Sequence, residues 1–174
     1  MTEFLGPLEL VGDRWVIGDP KRQGGMCLVL TEQGLEHHAN GVAEPLEVVP
    51  WSRVMELGIR TTYRAWMATR GGSVLTFVSQ SNAIDMGRDA CSVHALVRHP
   101  YDDWVARYSH HQRAYTGAHV YLVEQLIGAV SQAKQLHRLG DPRWLGAVVE
   151  QVAPLPHRRS SVRAIREIIE ATRV

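Results

Sequence analysis

Cysteine, lysine and phenylalanine are scarce in this 174-residue chain. Two cysteines, Cys27 and Cys91, are too few for a disulfide scaffold. They read first as two reduced thiols, with one inter-strand bridge as the alternative. Two lysines stand against seventeen arginines, a bias that points to a GC-rich genome before it points to function. No apolar run approaches the roughly 20 residues of a membrane-spanning helix. The opening MTEFLGPLEL has no basic start and does not read as a secretory signal. Together these absences lead to the expectation of a cytoplasmic protein. No C-x-x-C, H-E-x-x-H or G-x-S-x-G spacing occurs, so neither a metal site nor a cofactor is expected.

The formal charge of +1 excludes a general polycation, but the signs are unevenly spread. Residues 1–49 carry three Lys/Arg against eight Asp/Glu, a net of −5. Residues 50–100 carry six against three, a net of +3. Apolar residues make up 45%, enough for a chain of this length to bury a core without staples.

The first half is patterned for strands. Short apolar runs at 14–18, 26–31, 35–38, 46–48, 54–59, 61–69, 73–79 and 92–97 are separated by Gly, Pro and polar turns. In LEVVPWSRVMELGI (46–59), Pro50 stops a strand ladder. Trp51 then folds back to cover an open end of the sheet, a structural plug with ligand stacking as its functional alternative. The second half is patterned for helices. Tyr101, Trp104, Val105 and Tyr108 fit i, i+3, i+4, i+7 spacing, which predicts a helix over 101–111. Val120, Val123, Leu126, Ile127, Val130, Ala133 and Leu136 predict a long amphipathic helix ending near Gly140. Asp141-Pro142 starts another, and Ser160 or Ser161 caps a last one. The seam is expected near Gly117.

Strands followed by one helix resemble a bacterial pleckstrin-homology-like domain. Two phrases carry that resemblance: LVLTEQGLEHH, and VVPWSRVMELGI with its Pro-Trp-Ser corner. The chain is also similar to a set of actinobacterial proteins of comparable length, through PWSRVM, HPYDDWVARYSHH and LHRLGDPRWLGAVV. The family implies a binding module for lipid headgroups, peptides or proteins. Its lipid-binding members use basic residues between the first two strands, where Lys21 and Arg22 stand here. One such pair, beside Asp19, is thin for phosphate binding.

Other candidates come from the residues themselves. The polar stretch SQSNAIDMGRDA (79–90) offers Asn82, Asp85, Arg88 and Asp89 for a partner. Arg158, Arg159, Arg163 and Arg166 form a basic cluster, read against a solvated helix face. Adjacent histidines at 37–38 and 110–111 diverge on either a strand or a helix and do not suggest a shared ion. His94, His99 and Asp102 could form an acid–base pocket.

The expectation is therefore an α+β protein. Residues 1–116 form a small antiparallel β-barrel or sandwich of pleckstrin-homology-like type, stoppered by a helix carrying Trp104. Residues 117–174 form a helical tail. The expected role is non-catalytic binding or scaffolding through protein contacts, with a homodimer as one form of it. A small enzyme using His94, His99 and Asp102 is the rival. Nucleic acid at the basic cluster and lipid headgroups rank below protein partners.

Overall fold

The computed structural model describes residues 3–63 and 91–172. Within them the chain is mixed α+β, with a six-stranded antiparallel sheet, a three-stranded antiparallel sheet and three α-helices. The large sheet runs in sequence order: β1 (Phe4–Leu5), β2 (Leu8–Val11), β3 (Arg14–Ile17), β4 (Met26–Leu30), β5 (Gly34–Ala39) and β6 (Glu47–Pro50). Its first two hairpins close on two-residue turns. Gly6 (φ 60°) and Gly12 (φ 65°) hold the first central positions, where a positive φ matches the twist of the flanking strands.

The chain then turns through Trp51–Arg53 into the small sheet, ordered β7 (Val54–Arg60), β8 (Ser92–Val97) and β9 (Asp102–Arg107). The Pro-Trp-Ser corner does structural work. Trp51 is buried, and its indole N–H donates to the Thr31 carbonyl at 2.8 Å. A 3-10 turn, Leu136–Gly140, packs against it. A β-carbon on Gly140 would lie 2.1 Å from the Thr31 oxygen and 2.9 Å from the Trp51 ring nitrogen, so only glycine fits there.

Helix α1 (Gly117–Gln132) starts at Gly117, where Thr116 accepts from the His119 N–H. Its buried stripe, Leu122, Val123, Leu126, Ile127 and Val130, lies in one core with both sheets. The Leu57 N–H donates to the Ser131 hydroxyl at 3.0 Å, which ties α1 to β7. Helix α2 (Pro142–Val152) is capped by Asp141, whose carboxylate accepts from the N–H groups of Arg143 and Trp144. Its Trp144 is fully buried. Helix α3 (Ser160–Ala171) adds Ile165 and Ile169 to the same core.

Three expectations are corrected. The segment expected as a stoppering helix over 101–111 is β9, paired with β8 in the register Ala95↔Trp104 and Val93↔Ala106. Both periods fit this run, because its Tyr, Trp and Val residues are also good strand formers. Burial follows the period of two: Ala106 and Tyr108 are buried, whereas Tyr101 and Val105 of the expected helical stripe are 71% and 51% exposed. Trp104 does reach between the sheets, but from a strand, with its indole N–H donating to Glu47 at 2.8 Å. Second, the described strands form two sheets and do not close into a single barrel. The long helix expected to reach Gly140 ends at Gln132, and the strands expected over 61–69 and 73–79 fall almost wholly outside the described residues.

Candidate functional site

The outer face of the small sheet is where the register assembles residues far apart in sequence. Pairing of β7 with β8 and β8 with β9 sets Glu56, Leu96 and Asp103 in one cross-strand row. The next row is Gly58, His94 and Val105. Alternate residues on each strand point the other way into the core, Leu57, Ile59, Val93 and Ala95 among them. These two rows and the end of α1 line a groove of about 770 Å³, which also touches Trp104, Gln132 and Lys134. Its character is mixed: two carboxylates flank Leu96, with Val105 half-exposed behind them and a glycine leaving the floor low. Such a surface suits an extended segment with basic and apolar side chains.

The expected acid–base pocket does not assemble. His94 lies in the groove, with its Nε2 2.8 Å from the Ser92 hydroxyl. Asp102 pairs across from Val97, three residues along β8, and its carboxylate accepts from the Asp103 N–H. His99 sits in the turn between β8 and β9 with φ 60°, its ring 6.0 Å from Tyr101.

The titratable groups that do converge are buried elsewhere. The Tyr115 hydroxyl lies 2.6 Å from His111 Nδ1, and His111 Nε2 lies 3.0 Å from the Glu9 carboxylate, which also takes Arg113 at 2.8 Å. The Nε2–Glu9 approach lacks the alignment of a hydrogen bond. His110 stacks on the Tyr115 ring at 4.1 Å, its two ring nitrogens against the carbonyls of His111 and Thr62. Tyr115, His111 and Glu9 thus stand in one line of contacts. Burial pushes the Tyr115 hydroxyl up, away from nucleophilic ionisation. Burial, helped by the Arg113 charge, pushes His111 down to about 4 despite the pull of Glu9. Burial also lowers His110, against the two carbonyls that favour its charged form. Burial alone would raise Glu9, but the Arg113 hydrogen bond and charge hold it below the usual carboxylate range. The cluster thus links β2 to the segment ahead of α1 through the Glu9–Arg113 ion pair and a packed imidazole and phenol that burial keeps uncharged.

The remaining candidates are scattered. Arg22 donates to the His110 carbonyl at 3.3 Å, and the Lys21 N–H closes a turn on Asp19 at 3.0 Å. Trp51 is the buried corner described above and also lines a second cavity. Asn82, Asp85, Arg88 and Asp89 lie outside the described residues. Arg163 pairs with Glu167 at 2.7 Å, and Arg166 donates to Gln132 at 2.9 Å. Arg158 and Arg159 are exposed ahead of α3. Cys27 and Cys91 are buried free thiols, and burial pushes Cys91 up to about 11.

Glu56, Leu96, Asp103 and Lys134 were invisible as a group in the sequence, since strand register aligns the first three and the packing of α1 on β7 adds the fourth. The one local signal was the alternation of 102–107. No helix among the described residues is long and apolar enough to cross a membrane. In comparison with known proteins, no family model, curated protein or solved structure matches the chain.

Proposed function

We propose that this chain is a non-catalytic binding module, which takes an extended segment of a partner protein in the groove over β7, β8 and β9. The observation that carries the reading is the row Glu56–Leu96–Asp103 beside Gly58–His94–Val105, a low apolar strip between two carboxylates. The kinship with pleckstrin-homology-like domains belongs to the same proposal and rests on the two sequence phrases that suggested it. Two free thiols suit a reducing compartment, which supports a cytoplasmic setting. A lipid headgroup ranks lower because Arg22 is engaged with the chain itself. Nucleic acid ranks lower because Arg163 is already paired. A second copy of the chain ranks behind a peptide segment because the groove is lined by the charged residues Glu56, Asp103 and Lys134.

The test is retention of a degenerate peptide pool on immobilised protein. Wild type should enrich peptides carrying basic residues. The double variant Glu56→Lys/Asp103→Lys should lose about tenfold in retention, since like charges now face the bound segment. Equal retention by both proteins rejects the groove.

A further inference from the structure

Lys134 joins the groove to a second cavity, of about 530 Å³, beneath the Trp51 corner. That cavity has an apolar floor of Trp51, Val54 and Leu136. Its rim carries Arg98, Lys134 and His137, and among the described residues no carboxylate lines it. Electrostatic character therefore reverses across Lys134, from the acidic row of Glu56 and Asp103 to a cationic rim. Arg98 is tied down there, its Nε donating to the Ser52 carbonyl at 2.9 Å.

Lys134 is itself an unusual choice for its position. Helix α1 ends in a Schellman turn, with the Gln135 N–H donating to the Val130 carbonyl at 3.1 Å and the Lys134 N–H to Ser131 at 3.0 Å. The residue after such an end is left-handed, and Lys134 has φ 59°. Glycine is the usual occupant, because a β-carbon there is strained. Strain of this kind is kept where the side chain serves a site.

We propose that the second cavity receives the end of the partner's chain, with an apolar last side chain on Trp51, Val54 and Leu136 and the terminal carboxylate against Arg98, Lys134 and His137. The inference rests on the groove reading and extends it. It commits to a chain end because the cationic rim continues from a groove already shaped for an extended segment.

The experiment uses the full chain and two degenerate hexapeptide pools, one with free carboxyl termini and one amidated. Wild type should retain the free-acid pool at least about tenfold over the amidated pool, the size expected when a charge-assisted contact is lost. Lys134→Gly should narrow that ratio several-fold while its unfolding temperature holds or rises, because glycine relieves the left-handed backbone. Equal retention of both pools, abolished in both by Asp103→Lys, overturns the chain-end inference and leaves the groove standing. Retention of neither pool overturns both. Hexanoate competing as strongly as the free-acid peptides also overturns it, since the cavity then reads a small carboxylate and no peptide.

Discussion

The buried cluster around His111 and the open groove over the small sheet make opposite use of polar residues. At Glu9, His111, Arg113 and Tyr115 the side chains are spent on one another, and the tyrosine hydroxyl and the imidazole are held neutral by burial. At Glu56, Asp103 and Lys134 they face an open cavity. The cluster closes on itself, whereas the groove over the small sheet is open. Sequence reasoning favours conspicuous residue types, and here a histidine pair drew the eye more than a carboxylate row split over three strands.

Breaking the cluster should give the largest effects on stability. His111→Leu removes a partner from both the Tyr115 hydroxyl and Glu9, so thermal or urea unfolding should show a loss of about 2–4 kcal/mol. Peptide retention at temperatures below the transition should stay intact. Gly140→Ala, which drives a β-carbon into the Thr31 carbonyl, should cost about 2–3 kcal/mol by the same measurement.

A third variant sharpens the contrast through pH. Burial pushes the partly buried Glu124 carboxyl up to about 7. Its folded value lies above its unfolded one, so its contribution is full below the unfolded pKa of 4.5 and is lost as pH rises towards 7. Glu124→Gln should therefore stabilise at pH 8 by about 1 kcal/mol, allowing for solvent screening, and change little at pH 4. The histidines run the other way. His111 is lowered from 6.5 to about 4, so its contribution is full above 6.5 and fades as pH falls towards 4. Denaturation midpoints across that range should separate the two groups. The smallest effect belongs to the groove: Asp103→Lys, on an exposed strand position, should change stability by no more than about 0.5 kcal/mol.

Much of the fold was legible in the sequence. Strands β3 to β8 and the Asp141-Pro142 start of α2 carry local signals that tertiary packing did not override. Helix α3 begins at Ser160, but neither expected serine caps it: Arg159 holds the cap position without a side-chain bond, and the Ser161 hydroxyl donates to the Pro156 carbonyl instead. β1 and β2 were missed because Phe4–Leu5 and Leu8–Val11 are too short to show a period; β2 is held by pairing with β3, and β1 by pairing with β2. β9 was misread because eight residues rich in aromatic and β-branched side chains satisfy a helical and a strand period at once. The end of α1 was hidden because Leu136 continues the apolar spacing into the 3-10 turn, with no glycine to mark the break. The site was less legible than the fold. His94 could be named, but the rows it belongs with depend on register, and register depends on contacts between residues some forty positions apart.

The account turns on which face meets a partner, and amide chemical-shift mapping of the full chain with the retained peptides reads that directly. The shifts should concentrate at Glu56, Gly58, Leu96, Val105 and Lys134. Shifts gathered instead at His110, His111 and Tyr115, with the sheet face silent, would show that the buried cluster is the working site and that the division drawn between the two regions is inverted.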